Sequence, residues 1–356
     1  MAKLKYRSKL GKMPSYDVTE REWKIKVNAN ESGMNLPPMV EDRVMARISR
    51  VAFNRYPNEQ LDMLMEDIAD NYRMSKESVF IGNGSSEIIE KIFYCFGGKN
   101  HKIVFTQPSF SMYHIYAEAA EAVAVPFDLN EEDYSLNVKA YVNAVNESKA
   151  SLCVVCNPNN PTGNVVSLED IEYIAEHTSC AFLVDEAYIE FHGESAVSLL
   201  KKYPNMIVAR TFSKAYGLAA CRCGYMLAAP AITGMIAKSF MPYHMDVLTL
   251  VTADAVFSMR DEYVPRIQMV IAERKRMEDM MSGLKGFKVY PSHANFILVK
   301  YNKAVEMNKY LTNLGIGIRS FGNAPGLTNC MRISIGTREE NDTVFKSIKN
   351  FVEEQG

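Results

Sequence analysis

The sequence predicts an α/β protein in which a large domain, with a mainly parallel sheet sandwiched by helices, is joined to a smaller α+β domain. Three observations support this fold class. The chain has 356 residues, which exceeds what one hydrophobic core usually sustains. From about residue 78 to residue 228, short β-rich runs alternate with segments of helical periodicity. After Ser258 the pattern changes to a long charged helix followed by shorter strand and helix signals.

The middle of the chain carries the signals of the large domain. Glu87 to Phe96 and Leu168 to His177 have helical periodicity. The alternation of such segments with strands favours a parallel sheet that has helices on both faces. The predicted strands are "SVFIGNG", "HKIVFTQP", "EAVAVPF", "ASLCVVCNP", "CAFLVDEAY" and "NMIVART".

The residues beyond Ser258 predict the smaller domain. "EYVPRIQMVIAERKRMEDMM" is a long charged helix, which we interpret as the hinge between the domains. The strand-like segments "GFKVYPSHANFILVKY", "GIGIRS" and "CMRISIG", a helix from about Lys303 to Leu314 and a terminal helix follow it. We expect an N-terminal arm with part of the small domain at 1–45, the large domain at 46–258 and the small domain at 259–356.

The charge and the apolar pattern disfavour several classes of partner. The 40 Lys and Arg balance 42 Asp and Glu, so we expect no binding to nucleic acid. The basic N-terminus is followed by polar residues, and no later stretch approaches 18 apolar residues. We therefore expect a cytoplasmic protein that does not enter the membrane.

Two of the seven cysteines, Cys153 and Cys156, lie in one apolar run, where strand alternation directs them to opposite faces. A metal or redox pair is the alternative, but no second pair at zinc-like spacing follows. We interpret both as core thiols and expect no metal.

Polar residues follow directly after several predicted strands, where ligands bind in open α/β sheets. "GNGSSE" ends a strand and opens a helix, which places free N–H groups and the hydroxyls of Ser85 and Ser86 where an anion could dock. Glu87 stands where the dinucleotide fingerprint needs its third glycine, so a single phosphate is the better candidate ligand. Helix capping by Ser85 is the alternative.

Three further stretches bring other chemistry to the same edge. "FLVDEAY" ends a strand in Asp185, for which helix capping is the alternative, and "NPNNPTG" adds three asparagines. "RTFSKAYGLAACRCGY" sets Lys214 directly after Ser213 and eight residues before Arg222; a solvated surface lysine is the alternative. A lysine able to form a Schiff base, a helix N-terminus, an aspartate, a serine and an arginine are the parts that a pyridoxal-phosphate site requires.

The whole chain resembles the fold-type I pyridoxal-phosphate enzymes of the class II aminotransferase group and, within it, the histidinol-phosphate aminotransferases. The resemblance implies the cofactor pyridoxal 5'-phosphate and transamination between histidinol phosphate, an amino phosphate ester, and 2-oxoglutarate in histidine biosynthesis. The motifs that carry it, in the order of the family, are "VNANES", "NRYPNEQ", "GNGSSE", "PSFSMY", "NPNNPTG", "VDEAYIEF", "RTFSKAYGLAACRCGY" and "GIGIRSFGNAPGLTNCMRISIGTREEN".

The resemblance also implies roles around the cofactor ring. Lys214 would bond the cofactor covalently and move the proton, and Asp185 would pair with the ring nitrogen and keep it protonated. Asn160 and Tyr188 would hydrogen-bond the 3-hydroxyl, and Tyr113 of "PSFSMY" would stack on the ring. The expected catalytic residues are Lys214, Asp185 and Tyr188.

The implied phosphate cup is shared between two subunits. Its residues on one subunit are Ser85, Ser86, Ser213 and Arg222. Tyr56 of the partner subunit would complete it, which implies an obligate homodimer with shared active sites.

The substrate's acidic end is assigned by resemblance to Arg319 and Arg332, for which exposed strand-edge arginines are the alternative. Tyr16 is an approximate match to an N-terminal tyrosine that contacts the substrate phosphate. The sequence departs from the family pattern outside the predicted catalytic residues, and the second pair of departures could reshape the substrate edge. The departures are Ala220 with Cys221, and His244 with Asp246.

Three other functions stay open at this point. A phosphothreonine decarboxylase and an aromatic amino acid aminotransferase would share the fold and the cofactor. A cofactor-sensing half of a transcription regulator would need a DNA-binding region, and the 26 residues before Val27 are too few for a helix-turn-helix domain with a linker.

Overall fold

The computed structural model describes residues 21–355. Its helices are α1 (Pro38–Ile48), α2 (Asn58–Tyr72), α3 (Gly84–Phe96), α4 (Met112–Ala119), α5 (Val138–Ser148), α6 (Leu168–His177), α7 (Pro230–Ala237), α8 (Val247–Ser258), α9 (Val264–Ser282), α10 (Ala304–Asn313) and α11 (Arg338–Gln355). Its strands are β1 (Ile25–Lys26), β2 (Val79–Gly82), β3 (Lys102–Gln107), β4 (Val123–Asp128), β5 (Leu152–Cys156), β6 (Ala181–Asp185), β7 (Met206–Thr211), β8 (Gly224–Ala228), β9 (Lys288–Tyr290), β10 (Phe296–Lys300), β11 (Ile316–Gly317), β12 (Arg319–Ser320) and β13 (Cys330–Ser334).

The large sheet has seven strands in the order β2-β8-β7-β6-β5-β3-β4. β8 is antiparallel to both of its neighbours, and the other pairs are parallel. The six strands predicted from the sequence are all present. Because β2, β5, β6 and β7 run in one direction, the polar residues that follow them meet at one edge of the sheet.

Both faces of this sheet are covered by helices, as predicted. α2, α5, α6 and α8 contribute to the core on one face, and α3, α4 and α7 to the core on the other. Cys153 of β5 belongs to the first core and Cys156 to the second, so the two thiols point to opposite faces. Burial on both faces explains why β5 is apolar throughout rather than alternating.

The smaller α+β unit is built on an antiparallel sheet of order β12-β13-β10-β9. Its core includes side chains from α9, α10 and α11. β1 pairs with β11, so the N-terminal segment is part of this unit. α1 crosses the expected boundary at residue 45 and packs against α8, while α8 ends at the expected boundary, Ser258. The division at 45 and 258 stays a prediction.

Across residues 21–355, none of the helices combines the length and the apolar composition needed to cross a membrane.

Candidate active site

A cavity of about 1090 Å³ lies where the carboxyl edge of the large sheet faces the small domain and the N-terminal segment. Most of the predicted site residues line it, although they come from distant parts of the chain. Those that line the cavity are Ser85, Ser86, Asn160, Asp185, Tyr188, Ser213, Lys214, Arg222, Arg319 and Arg332.

Lys214 lies on the loop after β7, half-buried in the cavity wall. Its Nζ donates a hydrogen bond of 3.0 Å to the carbonyl oxygen of Ala29, and lies 5.9 Å from the ring centre of Tyr188. Burial lowers the pKa of Lys214 to about 8, and the positive charge of Arg332 acts in the same direction. About a tenth of the Lys214 amine is therefore neutral and nucleophilic at pH 7, far more than for a lysine with the ordinary pKa.

Asp185 is the last residue of β6 and is almost fully buried. Its Oδ2 accepts a hydrogen bond of 2.7 Å from the hydroxyl of Tyr113, and its Oδ1 accepts one of 3.2 Å from the backbone N–H of Ala187. Burial raises the pKa of Asp185 to about 6, and these two hydrogen bonds oppose the rise. No lysine or arginine within residues 21–355 forms an ion pair with this carboxylate, so a cationic ligand group would fit there.

The start of α3 and the Arg222 side chain form an anion-binding cup. Ser85 and Ser86 lie in the first turn of α3, where the helix presents unpaired N–H groups and a positive dipole end. A Cβ atom on Gly84, whose φ is +80°, would lie 2.6 Å from the Arg222 guanidinium, so glycine permits this close approach. Arg222 also donates to Ser213 Oγ at 3.5 Å. This cup fits a phosphate.

Two arginines lie side by side at the small-domain wall. Arg319 of β12 and Arg332 of β13 are direct partners in the antiparallel ladder, so their side chains share one face. Arg332 donates to Asn160 Oδ1 at 2.5 Å and to the Asn28 carbonyl oxygen at 2.7 Å. Like charges placed directly opposite destabilise a sheet, and an anionic ligand would relieve this repulsion. Asn28 Oδ1 is buried and lacks a hydrogen-bond partner among the described residues.

The structure corrects the expected position of Tyr113. This side chain is fully buried and does not line the cavity, because it lies in the first turn of α4 and points at Asp185. Tyr113 therefore cannot stack on a ligand in the cavity. Phe110, three residues earlier in "PSFSMY", is the aromatic residue of that motif that lines the cavity.

Two other predicted site residues lie elsewhere. Tyr56 is 73% exposed and does not line the cavity of its own chain. Its ring stacks on Tyr243 with 4.0 Å between ring centres. Its predicted role in the partner's cavity stays a prediction. Tyr16 lies outside the described residues.

The four departures from the family pattern do not line the cavity. Asp246 caps α8 by accepting a hydrogen bond from the backbone N–H of Thr249, and His244 is hydrogen-bonded to the Ile81 carbonyl oxygen. Both residues therefore have local structural roles, and the expected effect of this pair on the substrate edge is not supported by its position.

Sequence reasoning missed the part of the site contributed by the N-terminal segment. "VNANES" carried the family resemblance, but none of its residues was assigned to the site. Trp23, Asn28, Ala29 and Asn30 all line the cavity. Their contacts connect residues more than 150 positions apart, and no local pattern encodes them.

The family model for class I and II aminotransferases matches residues 23–348. The chain therefore belongs to the class I and II aminotransferases, which confirms the predicted family. Curated relatives include the histidinol-phosphate aminotransferases of Caldanaerobacter subterraneus subsp. tengcongensis, 35% identical over 97% of this chain and 98% of the relative, and of Clostridium novyi, 35% identical over 97% and 96%.

A solved structure confirms the predicted fold class. The chain is similar to histidinol-phosphate aminotransferase from Sinorhizobium meliloti in complex with pyridoxal-5'-phosphate, with a TM-score of 0.89 and 23% identity. The similarity covers 100% of this chain and 99% of that one.

Proposed function

We propose that the chain is a pyridoxal-phosphate-dependent aminotransferase that converts L-histidinol phosphate and 2-oxoglutarate into imidazole-acetol phosphate and L-glutamate, in histidine biosynthesis. The observation that carries this assignment is the pair Arg319 and Arg332, directly opposite each other at the cavity that contains Lys214. Two adjacent guanidinium groups suit a substrate phosphate, and one of them suffices for a carboxylate. The names of the relatives above support the same substrate.

The cavity residues fit this cofactor. Lys214 would bond it covalently, and the buried Asp185 carboxylate would pair with its protonated ring nitrogen. Asn160 and Tyr188 would hydrogen-bond its 3-hydroxyl, and Phe110 would lie against its ring in place of Tyr113. When bound, pyridoxal phosphate supplies a ring that accepts electrons from the substrate carbon.

The phosphate of the cofactor would lie in the cup at the start of α3. Each charge-assisted hydrogen bond to a phosphate contributes about 1.5 to 3 kcal/mol. The cup residues supply several such bonds from fixed positions, so this end anchors the ligand. Its residues on this subunit are Ser85, Ser86, Ser213 and Arg222.

Lys214 would move the proton. Its lowered pKa leaves the Nζ atom able to take a proton from the substrate carbon that carries the amino group and to return it in the next step. Arg332 contributes to this lowered pKa, so the group that binds the substrate anion also tunes the base.

We also propose a homodimer with shared active sites in the cytoplasm. Several large apolar side chains are strongly exposed in and near α1, α2 and the segment before α8, which suits burial by a second copy. All seven cysteines are free, as in proteins of reducing compartments. The exposed apolar residues are Met39, Met45, Phe53, Tyr56, Met241 and Tyr243.

A test follows the absorption spectrum of the purified, cofactor-loaded protein as three amino donors are added in turn. We expect histidinol phosphate to convert the cofactor to its amine form and to yield imidazole-acetol phosphate, and phosphothreonine and phenylalanine to act poorly. The Lys214→Ala variant is the control, and we expect it to bind the cofactor without turnover. Release of CO₂ from phosphothreonine, or conversion by phenylalanine alone, would contradict the proposed substrate.

A further inference from the structure

Three consecutive residues of the N-terminal segment each contact a different functional side chain. The Asn28 carbonyl oxygen accepts a hydrogen bond from Arg332, at 2.7 Å. The Ala29 carbonyl oxygen accepts one from Lys214 Nζ, at 3.0 Å. The Asn30 amide donates one to the Tyr188 hydroxyl, also at 3.0 Å. We call residues 28–30 the strap.

Asn30 anchors the strap to the small domain. Ser334 of β13 accepts a hydrogen bond from the Asn30 backbone N–H at 2.9 Å and donates its own proton to Asn30 Oδ1 at 3.0 Å. The amide of Asn295, just before β10, donates to the Asn30 carbonyl oxygen at 3.1 Å. Asn30 is 1% exposed and has a φ of 55°, a left-handed conformation that asparagine adopts more readily than most residues.

This network determines the direction of the Asn30 amide. Because the Ser334 hydroxyl donates to Oδ1, the Nδ2 group faces Tyr188 and can only donate. The phenol oxygen of Tyr188 therefore accepts from Asn30, and its own proton is free to point elsewhere. Tyr188 lines the cavity, so that proton can be directed at a ligand there.

We propose that Asn30 is a positioning residue that directs the Tyr188 hydroxyl into the cavity as a donor. This inference rests on the proposed cofactor site, in which Tyr188 donates to the 3-hydroxyl. Asn30 lines the cavity, but in this proposal it acts on the cofactor by orienting Tyr188. Its effect on cofactor binding passes through Tyr188.

A double-mutant cycle separates this role from a merely structural one. The variants are Asn30→Ala, Tyr188→Phe and the pair together, each prepared without cofactor. Titration with pyridoxal phosphate then gives its dissociation constant from the fluorescence of Trp23, the single tryptophan, which lines the cavity. Asn205→Ala is the matched control, since that amide donates to three backbone carbonyls far along the chain from the strap.

We expect Asn30→Ala to weaken cofactor binding by about tenfold in the native background, as for the loss of one well-placed hydrogen bond, and by less than about twofold in the Tyr188→Phe background. Asn205→Ala should lower the melting temperature and leave the cofactor affinity unchanged. If Asn30→Ala lowered the cofactor affinity equally in both backgrounds, Asn30 would act through the stability of the fold, and the proposal would be overturned.

Asn30→Asp tests the direction of the hydrogen bond. A carboxylate cannot donate, so it would draw the Tyr188 proton away from the cavity, and we expect a loss at least as large as that of Asn30→Ala. Native affinity in Asn30→Asp would overturn the assigned donor. The cycle measures cofactor binding and does not depend on the amino donor, so a wrong substrate assignment would leave its result intact.

Discussion

Among single residues, Asp185 shows that a site residue can lower the stability of the fold. A carboxylate buried without an ion pair among the described residues destabilises the cofactor-free fold. Its pKa is about 6 instead of the ordinary 3.8, so between these values the folded state binds the proton more tightly than the unfolded state does. The free energy of unfolding therefore falls as pH rises through this window and stays lower above it.

We predict that Asp185→Asn removes this pH dependence. In the cofactor-free native protein, the contribution of Asp185 to the free energy of unfolding should fall by about 1.5 kcal/mol between pH 5 and pH 8. Urea unfolding of both proteins at both pH values measures the difference, and groups that titrate equally in the two proteins cancel. If the free energy of unfolding changed equally with pH in the native protein and the variant, Asp185 would not be the buried acid described above. Cofactor affinity should drop in the variant because an amide leaves the ring nitrogen without its counter-charge.

The paired arginines predict a split between the two half-reactions. Arg332 is mostly buried and hydrogen-bonded, so it is held in place for whichever anion is present, and Arg332→Ala should impair both half-reactions. Arg319 is exposed and adds a second donor, which a phosphate can use better than a carboxylate. Arg319→Ala should weaken the binding of histidinol phosphate by about 2 kcal/mol and the binding of glutamate by clearly less.

Separate titrations of the two half-reactions measure this split. Lys300→Ala controls for loss of a positive charge, since Lys300 is at the exposed end of β10, which pairs with β13 on the side away from β12. Unchanged affinity for histidinol phosphate in Arg319→Ala would remove the physical argument for a phosphorylated substrate.

At the scale of the elements, the strands of the parallel core were predictable because β-branched, apolar runs bounded by turn residues occur in β2 to β7. β8, "GYMLA", has no β-branched residue, and we did not predict it. It is a strand because β2 and β7 pair with it on both sides. "GIGIRS" divides into β11 and β12, which join different sheets, because each half has its own pairing partner.

The site shows the same limit. Residues at or just beyond strand ends, such as Asp185 and Lys214, were predictable because the topology brings these strand ends together. The direction of the Tyr113 ring in α4 was not predictable. Whether Tyr113 or Phe110, just before this helix, faces the cavity depends on how the helix packs on the sheet. The contacts of Asn30 depend on the closure of one domain over the other, which no motif specifies.

At the scale of the whole molecule, the stacked rings of Tyr56 and Tyr243 are exposed although each is large and apolar. Neither faces the cavity of its own chain, and such surfaces usually bind a partner. If a second copy covers this surface with two-fold symmetry, each cavity receives a side chain from the other subunit. A complete site then needs Lys214 from one subunit and Tyr56 of the partner subunit.

Mixing two inactive variants tests this arrangement. Tyr56→Ala lacks the side chain proposed to be shared, and Lys214→Ala lacks the proposed base, so we expect each homodimer to have little or no activity. In a hybrid dimer, one of the two cavities combines the intact Lys214 with Tyr56 of the partner subunit. Random reassociation of equal amounts should therefore restore about a quarter of the native activity, because half of the dimers are hybrids with one native site.

Tyr243→Ala mixed with Lys214→Ala is the control. Each cavity then keeps an intact Tyr56, so mixing should restore nothing beyond the activity that Tyr243→Ala has by itself. If the first mixture shows no recovery although sedimentation detects hybrids, or if an active monomer retains its cofactor, then each cavity is complete within one chain and Tyr56 of the partner subunit has no part in it.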